Sequence, residues 1–79
     1  MSATLYDYTI MPGEAWYGPQ PGKFLEETHS KFRDAAHNAK AMWKAGVRDI
    51  VINVYDLIGQ DLADFYYKVD DATGKLIKK

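Results

Sequence analysis

The stretch "KFRDAAHNAKAMWKAGVRDIVINVYD", residues 31–56, holds a helix pattern followed directly by a strand pattern. Its apolar residues recur at intervals of three and four, which places them on one face of an α-helix. These residues are Phe32, Ala35, Ala36, Ala39, Met42, Trp43 and Gly46. Ser30 is a typical N-cap, and Gly46 stands where a helix end favours glycine. We therefore predict a helix from Ser30 to Gly46, or one from near Phe24 with a kink at residues 28–30.

Two strand patterns flank this helix. The run "RDIVINVYDL", residues 48–57, alternates isoleucine, isoleucine and valine at positions 50, 52 and 54. β-branched residues in this alternation predict the most deeply buried strand of the protein. Upstream, "TLYDYTIM", residues 4–11, places Tyr6, Tyr8 and Ile10 on one side, as a half-buried strand does.

The C-terminal part predicts a hairpin. "FYYKV", residues 65–69, alternates again, and the preceding residues 58–64 are predicted to be a connection. "DDATG", residues 70–74, is typical of a turn in which Gly74 takes a positive φ. "KLIKK", residues 75–79, is predicted to be a short edge strand that its lysines protect from further pairing.

Together these elements predict one α+β domain over residues 1–79. One long helix packs on a three- to four-stranded, mostly antiparallel sheet in the order β-α-β-β-β. The chain has no cysteine, so neither disulfides nor thiolate metal sites can stabilise it. At 47% hydrophobic and 14% aromatic residues, it has enough apolar side chains to build a core without them.

Composition also limits where the protein acts. No stretch reaches the roughly 18 apolar residues that a membrane span needs. The N-terminal residues lack the basic and long apolar regions of a signal peptide. The absence of cysteine fits a reducing cytosol. We expect a cytoplasmic protein without membrane contact, either a monomer or a homodimer joined through the residue 75–79 edge.

Residues suited to catalysis or metal binding are few. His29 and His37 are the only histidines, and on one helix they would lie about 12 Å apart, too far to share a metal. Glu26 and His29 have the Glu-x-x-His spacing of di-metal bundles, but such a site needs four helices. Nucleotide-binding and metalloprotease motifs are missing from the sequence. We predict no catalytic residue, no metal and no cofactor, and hence no enzyme.

Basic residues form the first candidate binding surface. Arg33, His37, Lys40 and Lys44 fall in one narrow stripe along the predicted helix. This basic stripe has two interpretations. It is either a solvated helix face whose lysine stems cover apolar surface, or a contact for phosphates or for an acidic protein surface. The net charge of −1 argues against general affinity for nucleic acid.

Acidic residues form the second candidate surface. Six aspartates and only one lysine lie between positions 49 and 71. Aspartate is common in turns because its side chain bonds to nearby backbone. The alternative is an anionic patch, including Asp56, Asp61 and Asp64, that docks a basic surface such as the nucleic-acid channel of a host complex.

The third candidate is the segment "MPGEAWYGPQPGKF", residues 11–24, which holds all three prolines of the chain. Trp16 and Tyr17 lie within this predicted loop. They either cap the core between the first strand and the helix or form an exposed anchor of the kind enriched at binding hot spots. Tyr55 and Tyr66, predicted on outward strand faces, would extend such a patch or cover the open sheet face.

The order of these segments resembles that of many tiny phage-encoded proteins, anti-CRISPRs among them. In these proteins a strand, an Ala-rich helix ending in "AG", a β-branched strand and a D-x-T-G hairpin make up the molecule. The resemblance covers residues 30–79 and is one of layout. It implies stoichiometric binding to a host protein complex, without catalysis.

The sequence thus leads to one functional expectation and an alternative. We expect a small non-catalytic binding protein, of the phage type that inhibits a host nucleic-acid-processing or defence complex such as a CRISPR effector. The alternative is a nucleic-acid-binding module that uses the basic stripe.

Overall fold

A computed structural model of the chain describes residues 5–13 and 27–79. The elements of this part are β1 (Tyr6–Met11), β2 (Glu27–His29), α1 (Phe32–Lys44), β3 (Val51–Asp56), β4 (Asp61–Val69) and β5 (Leu76–Lys78). The strands form one sheet in the order β2-β1-β3-β4-β5, and every neighbouring pair is antiparallel. The predicted α+β class is confirmed. The predicted order β-α-β-β-β with three to four strands is corrected to β-β-α-β-β-β with five, since the short strand β2 lies between β1 and the helix.

Strand β3 lies at the centre of the sheet. Ile50, Ile52 and Val54 are at most 1% exposed, because β1 and β4 flank the strand and α1 covers one face of the sheet. In the register, Ile10 of β1 lies opposite Ile52, and Tyr8 lies opposite Val54. This confirms the predicted burial of the strand, and it places the side of β1 that carries Tyr8 and Ile10 towards the helix.

Helix α1 packs on the sheet through its predicted apolar face. Ala35, Ala39 and Met42 are buried, and the small alanines let the helix axis approach the strands closely. Near the start of the helix, the ring of Phe32 lies 5.7 Å from that of Tyr8. Aromatic rings in these tilted and edge-on arrangements stabilise the core beyond the area they bury.

The helix ends as its sequence predicts. Val47 N–H donates to the Met42 carbonyl and Gly46 N–H donates to the Trp43 carbonyl, each at 3.0 Å. This pair of bonds is a Schellman motif, and it requires a left-handed residue, here Gly46 with φ 107°. Val47 follows the motif and is fully buried, which anchors the end of α1 to the core.

The start of the helix differs from the prediction. The N-cap is Lys31 rather than Ser30, and Lys31 makes no side-chain cap bond. The alternative of a helix that continues back towards Phe24 is wrong over residues 27–29, which form β2. Residues 24–26 lie outside the described part. Strand pairing with β1 outweighs local helix preference here, and the hydroxyls of Thr9 and Thr28 are 3.1 Å apart across the pair.

Strand β4 is longer than predicted. Residues 61–64, predicted as part of a connection, form its first half, and the turn is confined to residues 57–60. Asp56 stabilises this turn, since its Oδ1 accepts the N–H groups of Ile58 and Gly59. A register shift opposite residues 53–55 accommodates the extra length.

The second hairpin matches its prediction. Gly74 has φ 78°, and its N–H donates to the Asp70 carbonyl at 2.8 Å. The Thr73 hydroxyl donates to Asp70 Oδ2 at 2.6 Å, and this bond is the main reason why the pKa of Asp70 is lowered. Trp43 ties the turn to the helix, because its Nε1–H donates to the Asp71 carbonyl at 2.9 Å.

Candidate functional site

The outer face of the sheet, which is the face away from α1, carries large exposed apolar side chains. These are Met11 of β1, Tyr55 of β3, Leu62 and Tyr66 of β4, and Ile77 of β5. They alternate along their strands with the residues that face the helix. Because side chains on a strand project to opposite sides in turn, the pattern that builds the core also builds this outer face.

The strand register joins these side chains into one surface. Tyr55 lies opposite Leu62, and Met11 lies opposite the half-buried Val51. Ile77 lies opposite Lys68 on the neighbouring strand. Directly opposed residues of antiparallel strands lie on the same face and within contact distance. The outer face therefore continues across four of the five strands.

Its exposure is large for so small a domain. Leu62 is 63% exposed and Tyr66 is 42% exposed. Three further apolar residues, Leu5, Leu57 and Ile58, are exposed at the end of the sheet that carries the β3–β4 turn. In the described part of the chain, all eight exposed large apolar residues thus belong to this face or border it. Contiguous apolar surface of this kind marks interaction sites.

The outer face carries charged residues of both signs. Asp7 lies opposite Tyr55 across the β1–β3 pair, and Asp64 lies between Leu62 and Tyr66 on the same side of β4. Lys68 stands on this side of β4, with its Nζ 3.6 Å from Asp49 Oδ1, and Lys79 follows Ile77 on this side of β5, where its N–H donates to the Tyr66 carbonyl. The outer face is therefore an apolar surface with an anionic border at the end that carries the β3–β4 turn and with lysines beside β5.

The other predicted acidic residues accept backbone N–H groups. Asp71 Oδ1 accepts the Asp49 N–H at 3.0 Å, which joins two distant segments, and Asp61 Oδ1 accepts the Leu62 N–H at 2.8 Å at the start of β4. Asp56 holds the β3–β4 turn as described above. The bonds of Asp56 agree with the turn interpretation of the acidic region, and a binding role of Asp56 and Asp61 stays a prediction.

The basic stripe lies on the solvent side of α1. Arg33, His37, Lys40 and Lys44 are all exposed, and none of them forms an ion pair with another described residue. Lys40 and Lys44 border a shallow hollow with Trp43, Thr73 and Gly74. Because α1 covers the inner face of the sheet, the stripe and the outer face point in opposite directions. A single flat partner surface cannot contact both.

The predicted binding residues thus separate into groups. Asp64 and Tyr66 lie on the outer face, whereas the basic stripe lies behind it. Trp16 and Tyr17 fall outside the described residues. Sequence reasoning missed Leu62, which it placed in a connection. The alternation in "DLADFYYKV", residues 61–69, is the signal that would have included Leu62 in the strand.

Few chemical groups converge elsewhere in the described part. It contains no cluster of three or more His, Cys, Asp and Glu residues that would hold a metal.

Burial raises the pKa of Tyr8, whose ring packs beside those of Tyr6 and Phe32 on the inner face. The helix in this part is too short and too polar to cross a membrane.

Comparisons with known proteins add no relative. No protein family model, no curated protein sequence and no solved structure matches this chain. The functional argument therefore rests on the surfaces described above.

Proposed function

We propose that this protein acts by binding another protein through the outer face of its sheet, without catalysis. The single observation that carries the proposal is the gathering of exposed large apolar side chains on this one face. Tyrosine and methionine are enriched in protein interfaces, and burial of such anchors supplies most of the binding energy. A sheet face presents them on a rigid frame, so that little conformational entropy is lost on binding.

The acidic residues at one end of the outer face favour a partner with basic residues. A partner whose apolar patch has basic residues beside it would complement Asp7 and Asp64 and be guided to this end of the outer face. Protein surfaces that bind nucleic acid are basic because they contact phosphates, so they belong to this class of partner.

This partner class suits the function that the layout resemblance implies. We therefore propose, more finely, a phage-type stoichiometric inhibitor that docks on a basic surface of a host nucleic-acid-processing or defence complex, such as a CRISPR effector, in the host cytoplasm. The support for this step is the resemblance over residues 30–79 together with the anionic border of the outer face.

The basic stripe supports the alternative, direct binding of nucleic acid. Its four side chains are exposed and free of ion pairs with described residues, so the charges of Arg33, Lys40 and Lys44 are available to phosphates. A gel shift with single- and double-stranded oligonucleotides at low salt tests this alternative. A shift that disappears when Lys40 and Lys44 are replaced by glutamate would favour it over protein binding.

Differential capture tests the leading proposal. Three tagged forms are compared in extracts of candidate host cells: the wild type, a Leu62→Asp Tyr66→Asp variant, and a Lys40→Glu Lys44→Glu variant. We expect the wild type and the stripe variant to retain the same partner at a fixed molar ratio. The outer-face variant should lose about 100-fold or more in affinity, because it removes a tyrosine, a residue type enriched at hot spots, and places two carboxylates in an apolar contact.

Folding of each variant is checked first by circular dichroism and thermal melting. Equal capture by the wild type and a folded outer-face variant would overturn the proposal. Loss of capture only in the stripe variant would indicate that the binding site lies on the basic stripe of the helix.

A further inference from the structure

Strand β5 forms an open edge of the sheet. It pairs with β4 on one side, and no other strand in the described part of the chain pairs with its other side. At the start of β5, the Lys75 carbonyl accepts the Asp70 N–H at 2.8 Å. At its end, the Lys79 N–H donates to the Tyr66 carbonyl at 2.7 Å. The backbone groups of residues 75 and 79 are therefore directed towards β4.

The alternation of the backbone leaves four bonding groups on the other side of β5. Successive residues of an antiparallel strand direct their N–H and C=O groups to opposite edges. Residues 75, 77 and 79 therefore bond to β4, and the N–H and C=O groups of Leu76 and Lys78 point away from the sheet. These four groups are the open edge of β5. An edge of this kind is where an extended peptide adds a further strand to a sheet.

Lysines surround the open edge. Lys40 and Lys44 of α1 border the shallow hollow whose other side includes Thr73 and Gly74, in the turn that leads into β5. Three more lysines lie on β5 or next to it. All five side chains are exposed, and none forms an ion pair with another described residue: Lys40, Lys44, Lys75, Lys78 and Lys79.

The turn beside the open edge also carries two acids, and both are engaged within the fold. Asp70 Oδ2 accepts the Thr73 hydroxyl at 2.6 Å. Asp71 Oδ1 accepts the Asp49 N–H at 3.0 Å. With five lysines and two aspartates around it, the open edge has an excess of positive charge.

This charge determines which strand can pair with β5. Two β5 strands in an antiparallel pair centred on Ile77 would bring the lysines of both copies together, which is unfavourable. Lysines on an edge strand oppose this kind of self-pairing. For an acidic strand, the same charges attract, so the open edge discriminates between the two by charge.

We propose that the open edge of β5 binds an extended acidic segment of another protein as a sixth strand, antiparallel to β5. Every neighbouring pair of the existing sheet is antiparallel, so this orientation continues the ladder. Backbone bonds to Leu76 and Lys78 would hold the segment, and the lysines would select it. The interface is separate from the outer-face contact proposed above, and neither depends on the other.

The register also predicts the pattern of the segment. Leu76 packs against the core and Lys78 Nζ lies 4.4 Å from the centroid of the Phe65 ring, so both side chains are on the inner face. Directly opposed residues share a face. The residues opposite Leu76 and Lys78 would therefore point towards the side of α1, where acidic side chains would meet lysines. The residue between them, opposite Ile77, would be apolar and would extend the outer face.

Amide NMR spectra of the isotope-labelled protein, titrated with the capped peptide Thr-Glu-Val-Glu-Thr, test the proposal. We expect saturable shifts of the Leu76 and Lys78 amides, with a Kd of about 1 mM or tighter. A peptide with lysine in place of both glutamates should bind at least about tenfold more weakly. The Lys40→Glu Lys44→Glu variant should also bind the acidic peptide more weakly, whereas Leu62→Ala, at the far end of β4, should bind it as the wild type does.

Backbone methylation of the peptide separates strand addition from charge attraction alone. In the proposed register both glutamates direct their N–H groups to β5, and the valine directs its N–H away. Methylation of the two glutamate nitrogens should therefore weaken binding by about tenfold or more, because two backbone bonds are lost. Methylation of the valine nitrogen should leave the affinity unchanged.

Four results would overturn the proposal. The first is the absence of saturable shifts at about 10 mM acidic peptide, and the second is equal weakening by both kinds of methylation. The third is concentration-dependent shifts of the Leu76 and Lys78 amides without peptide, which would assign the open edge to a second copy. The fourth is tighter binding of oligothymidylate than of the peptide at the same amides, which would assign it to nucleic acid.

Discussion

Replacing Gly74 with alanine is expected to lower the free energy of unfolding by about 2–4 kcal/mol, through backbone strain and overpacking together. Gly74 has φ 78°, a left-handed conformation that residues with a Cβ rarely adopt. A Cβ built there would lie 2.7 Å from Cε3 of the Trp43 ring and 2.8 Å from Cζ3. The ring cannot move away freely, because Trp43 Nε1–H donates to the Asp71 carbonyl and Arg48 lies 5.1 Å over its centroid.

Urea denaturation of wild type and variant measures this loss. Gly59→Ala is the matched control, because Gly59 also lies in a hairpin turn but has no positive φ. A Cβ there would meet only the partly exposed carboxylate of Asp56, at 3.1 Å, and no backbone or ring. We expect the control to cost less than about 1 kcal/mol, as surface substitutions usually do. Equal costs at both glycines would contradict both causes, the strain at the positive φ of Gly74 and the contact of its Cβ with Trp43.

A double-mutant cycle with Trp43→Leu separates the two causes. If the ring contributes to the cost, Gly74→Ala should be less damaging in the Trp43→Leu background, with a coupling of about 1 kcal/mol or more. The cost that remains there is the backbone strain at φ 78°.

Replacing Ile52 with alanine is expected to cost about 2–5 kcal/mol, the range for removal of a large buried aliphatic side chain. Ile52 is fully buried on the central strand, where it lies between Ile10 of β1 and Tyr67 of β4. Domains of this size have a total stability of about 4–12 kcal/mol, so this one change removes a large fraction of it.

Leu62→Ala is the control from the opposite face of the same sheet. Leu62 is 63% exposed, and its replacement should cost less than about 1 kcal/mol. Thermal and urea unfolding of the two variants gives the comparison. A loss at Leu62 as large as that at Ile52 would mean that the outer face is covered in the folded protein, and the proposed binding surface would fail with it.

Much of the fold follows from patterns among residues that are close together in the sequence. The face of α1 and the glycine that ends the helix are set by residues within a few positions of each other, and so is the turn at residues 70–74. Such features are visible without tertiary information. The burial of Ile50, Ile52 and Val54 also follows from their β-branched alternation.

The remaining features depend on contacts between distant segments. Strand β2 has only three residues, and pairing with β1 rather than its own composition makes it extended. The first half of β4 pairs with β3 across a register shift. The position of that shift is not encoded by any local pattern of residues.

The candidate site was harder to predict than the fold. Charged residues stand out in a sequence, and they directed attention to the basic stripe. Whether Tyr55, Leu62 and Tyr66 are covered depends on which face of the sheet the helix occupies. That is a property of the assembled domain.

Footprinting of the outer face in the captured complex tests the central claim most directly. Hydroxyl radicals oxidise exposed Met, Tyr, Leu and His side chains, so the free protein should be modified at Met11, Tyr55, Tyr66 and His37. Binding of the partner should reduce oxidation of Tyr55 and Tyr66 several-fold and leave His37 on the helix unchanged. Unchanged oxidation of the two tyrosines with protection of His37 would contradict the account, because the partner would then lie on the helix and not on the sheet.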